Sequence, residues 1–255
     1  MRAALFAFTI LVGIVGILSF RGGAQTLQDL PLASSSANTV RVAELFTSQS
    51  CSSCPPAEAL FAELADREDL IVLEWHVDYW DRLVHGRAGA WKDPYSDPEH
   101  TLRQRQYNRA LRGQTGVYTP QAVIDGRYET IGSRRGVIES QLADVGHIMA
   151  EIDVTTTESG LRVGIGAFGS ELSLDAEILR LTLLPEQNTA VPRGENRGVE
   201  LYSRNLVLAA QAVGTYDGTA QSIDIKAPID GQTCAIIVQQ KRGNRLGPIL
   251  AASYC

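Results

Sequence analysis

The stretch Thr47–Pro56, "TSQSCSSCPP", decides the fold because it places two cysteines two residues apart, directly before a pair of prolines. The apolar run "VRVAELF" (Val40–Phe46) precedes it and predicts a buried strand. The run that follows carries apolar residues on one helical stripe: Leu60, Phe61 and Leu64. Prolines fit an α-helix only in its first turn, where the N–H group has no intrahelical partner. The sequence therefore predicts a helix that begins near Cys51–Ser53, with the cysteine pair at its N-terminus.

The elements that follow predict a mixed α/β domain. The largely apolar segment Asp69–Trp80 predicts a second strand, so that strand, helix and strand form a parallel βαβ unit. A helix is predicted over Asp97–Gly113, with Asp97 as N-cap, Pro98 at the first helical position and Gly113 as the stop. Two short strands around the turn "DGR" and a closing helix complete this part.

The pattern changes from about Glu151 onward. Short strand-like segments separated by Gly, Pro, Asp and Asn replace the helices. Several strands without long helices between them predict a β-sandwich. The boundary between the two patterns falls at Ala150–Ile152. We therefore expect an α/β domain over residues 39–150 and an all-β, sandwich-like domain over residues 151–255.

The N-terminus has the pattern of an export signal. Arg2 provides a short positive region, the next 18 residues carry no charge, and Gly22 and Ala24 form a small-residue cleavage site. These features predict a signal peptide over residues 1–24 and a disordered lead-in over residues 25–38. An uncleaved membrane anchor is the alternative, because 18 residues is the lower limit for a spanning helix. Both readings place the remainder in the periplasm or outside the cell.

The charge of the chain bears on its partners. The 255 residues carry a formal net charge of −6 and lack the basic clusters of nucleic-acid-binding proteins. The run Arg103–Arg112 has arginines at helical spacing, which predicts a solvated helix face. We therefore expect no nucleic-acid partner, and no membrane contact beyond the signal segment.

An exported location bears on the oxidation state of the four cysteines. An even number in an oxidising compartment allows two disulfides. The local pair is Cys51–Cys54, and the remaining pair, Cys234–Cys255, is expected to be a structural disulfide. At a helix N-terminus, Cys51 is expected to be the exposed nucleophile and Cys54 to resolve the mixed disulfide one turn inside the helix. A static disulfide and a zinc site are the competing interpretations.

The segment "VYTPQAV", taken together with the cysteine pair, points to a known fold. The order strand, CxxC, helix, strand and then X-Pro before a hairpin resembles the thioredoxin fold. The resemblance implies that Pro120 is the cis proline beside the cysteine pair, and that the Thr119 backbone pairs with a substrate peptide. It also suggests Glu44 as the buried acid that assists proton transfer. Ser52 and Ser53 depart from the usual Gly-Pro between the cysteines.

A closer resemblance rests on longer stretches. The segments "ELFTSQSCSSCPPAEAL", "HVDYWD", "WKDPY", "RQRQY", "VYTPQAVIDG", "RGENRGVELYSRN" and "GPILAA" are similar to an exported family of unknown function, domain-of-unknown-function family 1223. This resemblance implies the thioredoxin-like fold for the first domain and assigns no activity.

We expect an exported thiol–disulfide oxidoreductase that acts on extracytoplasmic proteins through Cys51 and Cys54 and needs no cofactor. Its partners would be protein or small-molecule thiols and disulfides, including an unidentified redox partner. One alternative is a copper- or zinc-handling protein that uses Cys51, Cys54 and His76, since thiolates favour Cu(I). A hydrogen-bonded structural role is the competing interpretation for His76. The other alternative is a non-catalytic thioredoxin-like binding module.

Overall fold

A parallel strand–helix–strand unit holds the cysteine pair. The structure, a computed structural model, describes residues 40–82, 91–144, 150–168 and 174–255. β1 (Arg41–Thr47) and β2 (Leu70–His76) pair in parallel and are connected through α1 (Pro55–Leu64). Every residue of both strands is buried, which explains their nearly continuous apolar sequences. α1 begins later than predicted, at Pro55, so Cys54 is its N-cap and does not lie one turn inside it.

The remaining elements before residue 145 follow the predicted order. They are α2 (Pro98–Leu111), β3 (Gln121–Ile124), β4 (Tyr128–Ile131) and α3 (Arg135–Leu142). A short 3₁₀ turn (Tyr79–Arg82) follows β2. The Asp97 side chain caps α2 by accepting a hydrogen bond from the Glu99 N–H at 2.7 Å, and Gly113 follows the helix with φ of 67°. β3 pairs antiparallel with β1, and β4 pairs antiparallel with β3.

The C-terminal part consists of strands, as the sequence predicts. They are β5 (Ile152–Thr157), β6 (Gly160–Ile165), β7 (Ala176–Ala190), β8 (Glu200–Tyr216), β9 (Gln221–Ile225), β10 (Thr233–Arg242) and β11 (Arg245–Tyr254). β5, β6 and β9 form a small sheet. Its apolar side chains share one core with those of β7, β10 and β11, which gives the sandwich-like packing.

The larger sheet crosses the predicted domain boundary. Its strand order is β11-β10-β7-β8-β2-β1-β3-β4, and β8 joins β2 in parallel where Leu206 lies opposite Glu74. The boundary at Ala150–Ile152 marks a change from helices to strands, but it does not separate two sheets. The described residues from Val40 to Cys255 accordingly belong to one compact unit.

The two faces of the β1–β2 region carry different helices. Alternate side chains of β1 and β2 point to opposite faces, so Val42 and Phe46 share a core with Tyr107 of α2. Ala43 and Leu45 instead pack against α1 and α3. The prediction that α2 has a solvated face is wrong for the centre of the helix. Four residues are buried there: Arg103, Gln104, Tyr107 and Asn108.

The β7–β8 hairpin is long enough to connect the sandwich to the cysteine pair. The first half of β7 pairs with β10 inside the sandwich, whereas the far halves of β7 and β8 extend beyond it. The loop at their tip, residues 191–199, contains the turn "RGENRG". This geometry brings C-terminal residues to the N-terminus of α1.

The predicted signal peptide (residues 1–24) and lead-in (residues 25–38) lie outside the described residues. Within the described part of the chain, no helix is both long enough and apolar enough to cross a membrane.

Candidate functional site

The cysteine pair is a disulfide at the start of α1. Cys51 and Cys54 are bonded, and the Cys54 carbonyl accepts hydrogen bonds from the first N–H groups of the helix. Both cysteines are 0% exposed, although Ser52 and Ser53 between them face solvent. The prediction that Cys51 is exposed is therefore wrong. The sequence did not predict the long-range contacts of the cysteine segment.

The turn Arg193–Gly198 between β7 and β8 lies against the cysteine segment. The side-chain amide of Asn196 donates to the main-chain carbonyls of Gln49, at 2.9 Å, and Cys51, at 3.0 Å. The Ser52 N–H donates to a carboxylate oxygen of Glu195 at 3.1 Å. Asn196 is buried, whereas Glu195 is exposed. These bonds hold the turn against the main chain on both sides of Cys51.

Trp91 completes the surroundings of the disulfide. Its carbonyl accepts a hydrogen bond from the Ser50 hydroxyl at 2.8 Å, and its indole N–H donates to the Gln49 side chain at 3.1 Å. Gly194 of the turn Arg193–Gly198 lies so close that a Cβ added there would sit 3.2 Å from the Trp91 Cβ. The turn therefore rests on a surface that Trp91 helps to form.

A group of buried titratable side chains lies on the α1 face of the sheet. His76 contacts Asp93 through Nδ1, at 2.7 Å, and Glu74 through Nε2, at 3.0 Å. The hydroxyl of Thr47, opposite His76 in the β1–β2 register, donates to Glu58 of α1 at 2.6 Å. All four titratable groups are at most 3% exposed. Glu58 follows Cys54 by four residues, which is one helical turn.

The cluster shifts the pKa values of its members. Burial, with the nearby charge of Glu74, raises the pKa of Glu58 to about 8. Burial alone would lower the pKa of His76, but Asp93 and Glu74 together raise it well above its usual value. The same ion pair lowers the pKa of Asp93 against the opposing effect of burial. A charged His76 held between two carboxylates and a protonated Glu58 at neutral pH are therefore favoured.

Two polar contacts connect this cluster to other elements. The Ser203 hydroxyl of β8 donates to Glu74 at 2.9 Å, and the Gln49 N–H donates to Asp93 at 2.8 Å. One carboxyl oxygen of Glu58 has no hydrogen-bond partner in the described structure. An unpaired buried oxygen is the position at which a proton can be gained or lost without breaking a hydrogen bond.

Glu44, the acid suggested by resemblance, lies on the other face of the sheet. It is three residues from Thr47 on β1, so its side chain points away from α1 and toward α2. It accepts hydrogen bonds from the Arg103 guanidinium, at 2.7 Å, and from the Tyr107 hydroxyl. Glu44 is thus bound to α2, whereas Glu58 is a buried acid on the α1 face, one helical turn after Cys54.

The Thr119–Pro120 peptide bond is cis, as predicted. The Thr119 hydroxyl accepts a hydrogen bond from the Trp80 indole at 2.6 Å. Pro120 is buried, and both it and Ala57 of α1 lie against Gly132. The proline therefore packs on the side of the sheet that carries α1.

The arrangement predicted for a metal site is not assembled. Both ring nitrogens of His76 contact carboxylates, so neither is free to join the cysteines. In residues 40–82, 91–144, 150–168 and 174–255, no group of three or more His, Cys, Asp or Glu side chains has the arrangement of a metal site.

The second disulfide, Cys234–Cys255, is present as predicted. It ties the start of β10 to the end of the chain, and the Cys255 N–H also donates to the Cys234 carbonyl at 2.9 Å. Cys234 belongs to the sandwich core, and the partly buried Cys255 packs against it. This position supports a structural role.

Sequence reasoning missed Glu58, Glu74, Asp93 and Asn196. Two of them carried a signal, because Glu58 interrupts the apolar face of a helix and Glu74 interrupts the apolar run "LIVLEWHV". A charged residue at a buried position is rarely there for packing alone. Asp93 and Asn196 lie in polar segments, where nothing in the sequence distinguishes them.

Comparison with known proteins places the chain in a family. The family model "Protein of unknown function (DUF1223)" matches residues 42–239. The X-ray crystal structure of protein AGR_C_4864 from Agrobacterium tumefaciens is similar with a TM-score of 0.71 and 29% identity, over 84% of this chain and 92% of that one. No curated protein matches the chain. The chain therefore belongs to the DUF1223 family, whose function is unknown.

Proposed function

We propose that this protein is an exported thiol–disulfide oxidoreductase that acts on extracytoplasmic proteins through Cys51 and Cys54. The observation that carries the proposal is the disulfide between a buried strand and the N-terminus of α1, with a buried acid one turn further along the helix. The N-terminus of a helix favours a thiolate, because the helix dipole places partial positive charge there.

The topology supports the thioredoxin-like part of the proposal. Parallel β1 and β2, antiparallel β3 and β4, and the order β2-β1-β3-β4 agree with the thioredoxin-like arrangement expected for residues 39–150. Under this proposal residues 151–255 contribute the sandwich and the long hairpin. The periplasm, or the space outside the cell, is the proposed location, because a disulfide pair that exchanges with protein thiols works in an oxidising compartment.

The proposed reaction transfers two electrons between the cysteine pair and a partner. In the reducing direction, the Cys51 thiolate attacks one sulfur of a partner disulfide, and the other partner sulfur leaves as a thiolate. The Cys54 thiolate then attacks the Cys51 sulfur, which releases the partner and forms the Cys51–Cys54 disulfide. The opposite direction reverses each step.

Glu58 is proposed to give its proton to the Cys54 thiolate that forms when the disulfide is reduced, and to take the proton back when the disulfide forms again. Its pKa of about 8 lies close to the ordinary pKa of a cysteine thiol, so the proton can move between them at little cost. Glu58 replaces Glu44 in this role, because Glu44 is bound to Arg103 and Tyr107 on the other face.

The burial of both cysteines favours a second candidate, a thioredoxin-like binding module with a static disulfide.

One experiment distinguishes the oxidoreductase from the binding module. The reduction potential of Cys51–Cys54 is measured against glutathione, the metal content of the same sample is determined, and turnover of a protein disulfide is assayed. We expect reversible reduction, and turnover that Cys51→Ser abolishes and Cys234→Ala with Cys255→Ala preserves. A disulfide that glutathione neither reduces nor reforms, with no turnover, would favour the binding module.

A further inference from the structure

The turn that lies against the cysteine segment has hydrogen bonds of its own. Within it, the Gly198 N–H donates to the Val191 carbonyl at 2.8 Å, and the Val199 N–H donates to the Asn196 carbonyl at 3.0 Å. We call the segment Arg193–Gly198 the cap. Only two of its residues are buried, Gly194 and Asn196. Because its internal hydrogen bonds do not involve the cysteine segment, the cap can move away from that segment without losing them.

The cap occupies main-chain groups of the cysteine segment. Asn196 supplies donors to the carbonyls of Gln49 and Cys51, and Glu195 supplies an acceptor for the Ser52 N–H. The main chain of a polypeptide offers the same kinds of group, since each residue other than proline carries one N–H donor and one C=O acceptor. Peptides are often recognised in this way, by main-chain hydrogen bonds that are largely independent of sequence.

We infer that the cap is a displaceable stand-in for a partner polypeptide, whose main chain binds the Gln49–Ser52 segment when the cap moves away. This inference rests on the proposed function, because it names the class of partner that meets the disulfide. In the capped form both sulfurs are buried. Their reaction rate with a thiol is then set by the fraction of molecules in which the cap is open.

The first test uses a small reductant. A dithiothreitol thiolate attacks Cys51, the bond to Cys54 breaks, and the second dithiothreitol thiol closes the ring, so that dithiothreitol is oxidised by two electrons and both cysteines are reduced. Asn196→Asp keeps the size of the side chain but replaces its N–H donors with an oxygen that faces two carbonyls. We expect reduction to accelerate by about tenfold or more. Alkylation and peptide mass spectrometry measure the rate for each disulfide.

The chain offers matched controls. Asn244→Asp makes the same chemical change in the β10–β11 turn, where the Asn244 side chain accepts from Gln106 at 3.1 Å, and should leave the rate unchanged. Reduction of Cys234–Cys255 in the same molecules should also be unchanged. Equal rates of Cys51–Cys54 reduction in wild type and Asn196→Asp would contradict the inference that the cap limits access of a thiol to the disulfide.

A second pair of variants acts through shape instead of hydrogen bonding. Gly194 and Gly198 both have positive φ, 78° and 80°, so alanine strains the backbone at either position. A Cβ at Gly194 also meets Trp91, whereas a Cβ at Gly198 meets nothing within 4 Å. We expect Gly194→Ala to accelerate reduction clearly more than Gly198→Ala. The same acceleration in both would attribute the effect to loop strain and contradict the seating of the cap on Trp91.

A third test addresses the partner class. A cysteine peptide and its analogue with N-methylated amides on both sides of the cysteine are compared as reductants. N-methylation removes main-chain donors, so we expect the analogue to react about threefold or more slowly with the wild-type disulfide. Both peptides should react equally with a small aromatic disulfide. Equal rates with the protein would refute docking through the main chain. These rates do not depend on catalytic turnover, so a failure here is distinct from a failure of the proposed oxidoreductase activity.

Discussion

Glu58 is the residue whose environment most affects the chemistry of the site. It lies on the buried side of α1 among Ala57, Leu60 and Phe61, and within the described residues its side chain is hydrogen-bonded to Thr47 alone. Burial of a carboxyl group disfavours its charged form, and the nearby Glu74 adds to the effect. The acid is thus kept protonated at a pH where an exposed glutamate is ionised.

The pKa of Glu58 predicts a pH dependence of stability. Because its pKa is raised to about 8 in the folded state from an ordinary value of 4.5, the folded protein binds the proton more tightly. The stabilisation from Glu58 is complete below about pH 4.5 and is lost as the pH rises toward about 8. We expect Glu58→Gln to reduce this loss, by at most about 1.4 kcal/mol per pH unit. Urea unfolding of wild type and variant at pH 5, 6.5 and 8 measures it.

Glu63→Gln is the control, since Glu63 lies on the exposed side of the same helix and pairs with Arg135. A free energy of unfolding that changes with pH equally in wild type and Glu58→Gln would contradict the raised pKa of Glu58.

At the scale of elements, α2 is held to the sheet by a buried ion pair. Arg103 donates to Glu44 of β1, to Tyr107, and to the side chain of Gln239 on β10 at 2.9 Å. The helix therefore links a strand from each half of the chain. The "RQRQY" stretch, which predicts a solvated face, contains the residue that makes this link.

Arg103→Met should destabilise the protein by about 3 to 5 kcal/mol, because it leaves the Glu44 charge buried without a partner. Glu44→Gln combined with Arg103→Met should recover part of that loss. Chemical unfolding measures both variants, with Arg105→Met on the partly exposed side of α2 as the control. A loss no greater in Arg103→Met than in Arg105→Met would show that the ion pair does not hold the helix.

The start of α2 provides a smaller test. The Asp97 side chain is the acceptor for the first turn, so Asp97→Ala should cost about 1 kcal/mol of unfolding free energy. Asp97→Asn keeps an acceptor and should retain most of the stability. A similar loss of stability in both variants would assign the effect to the charge of Asp97 instead of its hydrogen bond to the first turn of α2.

At the scale of the whole molecule, the two halves of the chain depend on each other. β8 pairs with β2, Ser203 of β8 binds Glu74, and the Ile249 N–H of β11 donates to the Asp125 carbonyl at 2.9 Å. We expect residues 39–150 and 151–255, expressed separately, to fail to fold cooperatively, and to assemble when expressed together. Circular dichroism during thermal unfolding measures this. A cooperative transition in residues 39–150 alone would show that the helical half is self-sufficient.

The sequence predicted local features well and long-range contacts poorly. The capped start and glycine stop of α2 follow from short segments with strong preferences. The Cys234–Cys255 pair was predicted because these are the two cysteines left over, and the cis Thr119–Pro120 bond was predicted from the resemblance to the thioredoxin fold. The contact of the cap with the cysteine segment could not be predicted, because Asn196 meets Cys51 across 145 residues of chain. For the same reason the sequence did not predict that the eight-stranded sheet contains strands from both halves of the chain. The pairing of β2 with β8 depends on where a long hairpin ends.

The cap belongs to the same chain as the Gln49–Ser52 segment against which it lies. This sets the concentration that a competing ligand of that segment must reach. A tethered segment is present at its site at an effective concentration on the order of millimolar or above. A free thiol at lower concentration therefore competes poorly, whereas a partner that is first held elsewhere on the protein can match it. Under the proposal that a partner displaces this turn, the hairpin favours partners that bind before they react over dilute free thiols.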